Sequence, residues 1–316
     1  MVADGNVVTA PGIPAAIAPP RTGTLHRIAR RRSTLAFLMT LPLLVVIGGL
    51  VAYPFIYAIY LSMLNKRMTR FIGFENFTFL LSRETFQGVI WQSVLFAVGA
   101  VIAKALIGFI LAHVLHALPA KGQRKWRGML LVPWVIPPAI STLAWWWLFD
   151  PSYSAINWAV ATIGIPPVAW LGEPSWARFS VILVNVWYGA PFFMIMYLAA
   201  LKSVPDQLYE AAAIDGASAW QKLVYVTIPM MKNIIAITVL FSLIVTFANF
   251  DIVRILTNGG PQDKTHIFGT YAFQVGIQSG DLPLGAAVSL FMFPILAIFA
   301  VFVLRGVTRR SKEMAG

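Results

Sequence analysis

Six apolar stretches set the strongest limit on what this chain can fold into: residues 35 to 63, 89 to 115, 128 to 149, 177 to 201, 232 to 256 and 283 to 305. Each provides the run of about twenty residues that a helix needs to cross about 30 Å of hydrocarbon. The runs are continuous and lack the two-residue alternation of a membrane strand. Lipid offers no partners to unpaired backbone, so the expected fold is an all-α membrane protein with six transmembrane helices. Composition agrees, with 59% hydrophobic and 11% charged residues, against roughly 25% charged in an ordinary soluble domain.

The net charge of +12 is explained by placement. Arg21, Arg27, Arg30, Arg31 and Arg32 precede the first stretch, and Lys121, Arg124, Lys125 and Arg127 lie between the second and third. Lys202 and Lys222 lie between the fourth and fifth, Lys232 closes that segment, and Arg305, Arg309, Arg310 and Lys312 follow or end the last stretch. With an even number of spans these all fall on one side, which the positive-inside rule makes cytoplasmic, so both termini are expected there. Lys66, Arg67, Arg70 and Arg83 oppose the trend. The basic excess is therefore read as membrane topology, with lipid as a partner and no nucleic acid.

Residues 1–34 are expected to be a disordered, basic cytoplasmic tail, 35–306 the six-span domain, and 307–316 a second basic cytoplasmic tail. The run from Leu35 is too long for the core of a signal peptide, so it is read as a retained helix. Cysteine is absent, which excludes disulfides and thiolate metal sites.

Between the fourth and fifth stretches, residues 202–231 interrupt the apolar pattern with "EAAAIDGASAWQKLVYVTIP" (210 to 229). Ser203, Pro205 and Asp206 predict a helix start, and Gly216 predicts its stop. Ser218 with Gln221 repeats the capping pattern, so a second short helix is expected through Trp220, Leu223 and Val224 until Pro229 opens the fifth span. The helix pair faces the positive side and offers Leu208, Tyr209, Ala211 and Ala212. The residues alone leave two roles open, an interfacial helix on lipid or a surface that receives another protein.

The spacing of Glu210, Ala211, Ala212, Gly216, Val226, Ile228 and Pro229 resembles the EAA signature of permease subunits of ABC importers, with Val226 and Ile228 in place of the usual Ile and Leu. Further stretches are similar to the carbohydrate-uptake branch of that family, related to the maltose-type first permease. They are "FIGFENF" (71 to 77), "LVPWVIPPAISTLAWWWLFDP" (131 to 151), "GAPFFM" (189 to 194), "VPDQLYEAAAIDGAS" (204 to 218), "FDIVRILTNGGPQDKT" (250 to 265) and "GAAVSL" (285 to 290).

The resemblance implies a type I importer permease of a bacterial-type inner membrane. In such a protein the helix pair sits in a groove of a cytoplasmic ATPase, with Glu210, Ala211, Ala212, Asp215, Gly216 and Pro229 as coupling residues. It implies as partners a second homologous permease, two ATPase subunits and an extracytoplasmic solute-binding protein that delivers a sugar or sugar-like solute. ATP and Mg are then expected on the ATPase, with no cofactor bound by this chain. In keeping with that, no phosphate-cradling GxxxxGK[ST] loop occurs.

Polar residues inside spans usually face a wet cavity or another helix. Asn185, Tyr188 and Gly189 on the fourth span, with Thr246, Asn249, Asp251 and Arg254 on the fifth, are the candidate translocation path. The resemblance assigns these two helices a share of the central sugar site, and interhelical hydrogen bonding is the alternative. Asp251 and Arg254, three positions apart, are expected to pair. An unpaired Arg254 would instead suit an anionic solute, such as a glycerol phosphate or an acidic or sulfonated sugar.

Lys104, in mid-span, is expected in a structural salt bridge. Gly108 and Ala112 read as a helix-packing pair, and His113 with His116 lacks the further ligands of a metal site. Trp145, Trp146, Trp147, Tyr153, Trp158, Trp170 and Trp176 read as an aromatic belt, and Pro133, Pro137 and Pro138 are expected to bend or break the third span. The alternative, an ion-coupled secondary transporter or channel subunit, would need buried carboxylates, for which only Asp251 qualifies. An intramembrane enzyme is disfavoured because neither HExxH nor GxSxG occurs.

Overall fold

The computed structural model describes residues 32–152 and 154–313. The expected N-terminal tail up to residue 31, and Tyr153, lie outside the described residues. Among the described residues the secondary structure is helical, apart from an isolated bridge between Leu64 and Phe71.

In chain order the helices are α1 (Ala36–Ser62), α2 (Glu75–Leu81), α3 (Glu84–His116), α4 (Ala120–Leu130), α5 (Val132–Val135), α6 (Pro138–Leu148) and α7 (Ala155–Ala161). There follow α8 (Pro174–Lys202), α9 (Asp206–Ile214), α10 (Ala219–Phe247), α11 (Asp251–Leu256), α12 (Phe268–Phe273), α13 (Leu282–Leu290) and α14 (Met292–Glu313).

Among the described residues five helical runs are long and apolar enough to cross a membrane: α1, α3, α8, α10 and Leu282–Val303 across α13 and α14. The third apolar stretch is the exception, because its prolines break it into α4, α5 and α6. Ile136, just before Pro137, is extended at ψ 134°, as crowding by a following proline ring demands. The last helix runs on to Glu313, past the expected end of the span at 305.

The chain divides into two units, up to Ile56 and from Tyr57. In the first, every side chain from Ala36 to Ile56 is exposed, an apolar surface suited to lipid. A π turn at Gly48–Ala52 precedes Pro54. A similar π turn at Leu223–Thr227 precedes Pro229. In both, the lengthened bonding pattern accommodates a residue with no N–H to donate.

In the second unit the core is centred on α3 and α8. Lys104 meets Asn185 while Gly108, further along α3, abuts Phe193, further along α8, so these helices run in the same direction. Gly108 is what permits the approach: a Cβ there would lie 2.4 Å from the Phe193 Cβ and 3.0 Å from the Met194 nitrogen. Ala112, one turn on, is fully buried, as the small-residue pair predicts. Phe86 at the start of α3 packs against Phe268, Tyr271 and Phe291, which ties α12 and the last span to the bundle.

The motif "FIGFENF" has a local reason. Asn76 donates from Nδ2 to the carbonyls of Ser62 and Leu64, at 2.8 and 2.9 Å, and so pins α2 to the chain that leaves Ser62. Trp170 departs from the aromatic belt: it is buried, with its indole N–H donating to Asn157 Oδ1 at 2.8 Å. Trp146, Trp147 and Trp158 are exposed as expected.

Candidate coupling and transport site

The hairpin of residues 202–231 is built by local hydrogen bonding. α9 ends in a Schellman turn: the Ala217 N–H donates to the Ala212 carbonyl at 2.9 Å and the Gly216 N–H to the Ala213 carbonyl at 3.1 Å. That closure puts Gly216 at φ +76°, a conformation in which a side chain is strained. The spacing of Ala212 and Gly216 in the signature is the spacing this turn requires.

Ser218 then caps the next helix reciprocally, its Oγ accepting from the Gln221 N–H at 3.3 Å while the Gln221 side chain accepts from the Ser218 N–H at 2.7 Å. The Tyr209 and Thr227 hydroxyls meet at 2.9 Å, and Thr227 also donates to the Lys222 carbonyl in the π turn. This contact braces α9 against α10.

Two expectations about the hairpin need correction. Ser203 does not cap α9: it closes α8, where its hydroxyl donates to the Ala200 carbonyl at 2.7 Å, and Pro205 takes the cap position. Pro229 does not begin a new helix. The segment from Ala219 runs without a break through the π turn and Pro229 to Phe247, so the second hairpin helix and the fifth span are one rod. Glu210, Ala211, Asp215 and Gly216 are exposed, Ala212 and Pro229 half-buried. Beside them Ile214, Trp220 and Tyr225 stand 87%, 71% and 76% exposed.

In the bundle, Lys104 of α3 is 4% exposed and joins the helices on either side of the hairpin. Its ammonium donates to Asn185 Oδ1 of α8 at 2.9 Å and to Thr246 Oγ1 of α10 at 2.8 Å. Gly189 makes room for the stem, since a Cβ there would lie 2.5 Å from Lys104 Cδ. Among the described residues no carboxylate joins this cluster, so the expected salt bridge is replaced by two neutral acceptors. Asn185 and Thr246 are buried and engaged with Lys104, the interhelical arrangement rather than an open wall. The signal in the sequence was a mid-span lysine accompanied by a mid-span asparagine and threonine on other helices.

Of the remaining path candidates, Asn249, Asp251 and Arg254 lie where α10 ends. Asn249 lies in the break between α10 and α11, with a buried Oδ1 that has no hydrogen-bond partner among the described residues. Tyr188 is half-buried on α8. Asp251 and Arg254 sit on the separate helix α11, not on the fifth span. They do not pair: Arg254 donates to Asn258 Oδ1 and lies 4.8 Å over the Phe273 ring. The helix break separates Asp251 from the rod and turns Arg254 toward the loop that follows.

The model of the family described as binding-protein-dependent transport system inner membrane component matches residues 104–311, more than half of the chain. The chain belongs to this family. The permease is 31% identical over 284 residues to the trehalose/maltose transport system permease protein MalF of Thermococcus litoralis, covering 88% of this chain and 95% of that relative. It is 30% identical over 275 residues to the sulfoquinovosyl glycerol transport system permease protein SmoG of Agrobacterium fabrum, covering 85% and 89%.

Among solved structures, it matches a chain of a bacterial alginate ABC transporter in complex with an alginate pentasaccharide-bound periplasmic protein. The TM-score is 0.77 and the identity 26%, covering 89% of this chain and 96% of that one. The permease is thus a multi-pass inner-membrane subunit of an ABC importer. It works with a second permease, ATPase subunits and a binding protein, and is not itself the enzyme.

Proposed function

We propose that this permease forms, with its partner permease, the path for a sugar or sugar-like solute, and that its hairpin transmits closure of the ATPase to that path. In this reading Glu210, Ala211, Ala212, Asp215 and Gly216 seat the hairpin in a groove of the ATPase, which binds ATP and Mg. Pro229 and the π turn join the hairpin to its rod. Residues 35–306 form the transport domain, the 307–316 segment ends on the hairpin side, and both termini lie in the cytoplasm.

The observation that carries this reading is the continuity of α10. Its 29 residues lead from the hairpin to Phe247, beside Asn249, a rod of roughly 40 Å. Displacement of one end therefore moves the other. The Lys104 cluster makes α8 and α3 move with it, so the unpartnered Asn249 oxygen and Tyr188 are placed to meet the solute. A sugar fits such a wall, because its hydroxyls supply the donors that Asn249 lacks.

The experiment is uptake by the reconstituted importer with Gly216→Val and Glu210→Lys. Uptake is expected to fall at least about tenfold while the subunit still inserts. Normal uptake together with normal ATPase co-purification in both variants would remove the coupling role.

A further inference from the structure

At the end of the bundle opposite the hairpin, the first turns of α3 and α8 and the loop after α11 enclose a polar cavity of about 290 Å³. Its wall carries both signs of charge: Arg178 and Lys264 with Glu84 and Asp263, beside Trp91 and Gln92. The Arg178 Nε donates to the Lys264 carbonyl at 3.2 Å, which fixes the guanidinium and leaves its terminal nitrogens free of protein partners among the described residues. Gln92 is 6% exposed, yet among the described residues no protein group bonds its amide. Gln92 lines the cavity, so its amide is free to donate to and accept from whatever occupies it.

Below the cavity the surface of α3 becomes apolar. Trp91, 61% exposed, heads a stripe that continues through Leu95 and Val98 to Ile102 and Leu106, the last two 55% and 61% exposed. These positions recur every three or four residues, so they share one helix face. A polar, charge-balanced cavity capping an aliphatic stripe on a membrane helix has the shape and chemistry of an amphiphile site.

We infer that this cavity holds the headgroup of a zwitterionic, primary-amine phospholipid, phosphatidylethanolamine in class, whose acyl chain lies along the Trp91–Leu106 stripe. The phosphate meets the Arg178 fork and Lys264, a charge-assisted arrangement. The ammonium lies between the Glu84 carboxylate and the Trp91 ring face. The paired charges favour a zwitterion over an anionic headgroup, which would leave Glu84 and Asp263 opposed. The site rests on the importer reading only for its leaflet, the outer one if the hairpin is cytoplasmic.

The test is native mass spectrometry of the intact importer complex titrated with phosphatidylethanolamine and, separately, phosphatidylglycerol. The wild-type complex should retain phosphatidylethanolamine preferentially, and Arg178→Gln and Glu84→Gln should each weaken that retention about tenfold with solute uptake unchanged. Lys264→Gln, on an exposed loop, serves the same comparison where either variant fails to assemble. Equal retention in wild type and variants, or preference for phosphatidylglycerol, overturns the proposal. So does displacement of the lipid by maltose, which would make the cavity a sugar subsite. Absence of solute uptake by the wild-type complex would instead count against the importer reading, and it is measured independently of lipid retention.

Discussion

Replacing Asn185 by leucine tests the Lys104 cluster most sharply. The ammonium is buried with two side-chain acceptors, at 2.9 and 2.8 Å. Removing one partner of a buried charge costs about 3–5 kcal/mol, because the charge stays and its compensation goes. Lys104→Met takes away the charge itself and leaves two neutral groups, Asn185 and Thr246, each short of one hydrogen bond. Interhelical hydrogen bonds in membranes average about 0.6 kcal/mol, with a maximum near 1.7, so this change should cost only about 1–2 kcal/mol.

The triple replacement Lys104→Met, Asn185→Leu, Thr246→Val substitutes apolar packing for the whole cluster. It should be neutral or stabilising, as for other buried ionic clusters replaced at similar volume. The assay is the denaturation midpoint of the purified importer in detergent, with subunit yield as a second readout. The expected order of damage is Asn185→Leu, then Lys104→Met, then the triple. Lys104→Met at least as harmful as Asn185→Leu, or a triple variant no better than either, would refute the reasoning. Full uptake by a stable triple variant would also remove Asn185 and Thr246 from contact with the solute.

Gly216→Ala should cost about 1 kcal/mol and Gly216→Val more, with Gly216→Asn tolerated, because the space around Gly216 is open and only its φ of +76° is demanding; thermal denaturation of the importer measures this. Gly108→Ala should lower subunit yield, since overpacking costs about 1–3 kcal/mol and the obstruction includes Phe193 and Met194 backbone. Burial holds the His266 imidazole below its ordinary value, with Asp263 opposing and Arg254 adding to the effect. Between that lowered value and about 6.5 the unfolded chain binds more protons, so this stability is complete above about pH 6.5 and is lost as pH falls through the window. Amide exchange across residues 257–267, corrected for intrinsic rate, should therefore be faster at about pH 5.5 than at about pH 7.5 in wild type and insensitive in His266→Gln. Arg254→Ala should cost about 0.5–1 kcal/mol through its lost ring contact. Stability of the double mutant with Asp251→Ala should show no coupling, since the two side chains do not meet.

What was legible in the chain follows the range of the interactions. The turn at Gly216 and the capping box at Ser218 close over a few residues, so their residue types and spacing predict them directly. Ser203 misleads for the same reason, because a serine ahead of Pro205 and Asp206 satisfies a local start pattern while its hydroxyl closes the helix before. The prolines of the third stretch act through their own rings and break it where the sequence places them. Pro229 behaves otherwise: the π turn before it lets the rod continue, and whether a helix absorbs a proline depends on what packs around it. Trp170 reads as a belt residue until Asn157, thirteen residues back in α7, supplies an acceptor for its indole N–H.

The sequence by itself determined the solvent, the helical class and the hairpin, because length, apolar continuity and local capping all operate within one segment. It also carried the family, through spacings that the hairpin turn makes obligatory. Only the tertiary structure decided what the polar residues in the spans do. Lys104 finds Asn185 and Thr246 at separations of 81 and 142 residues, and Arg254 turns to Asn258 and Phe273 because α10 stops before Asp251. A charge in a span must have a partner, which the sequence states as a requirement. Which partner it has depends on helix register and close approach, and those are set where Gly108 and Gly189 let α3 and α8 come together.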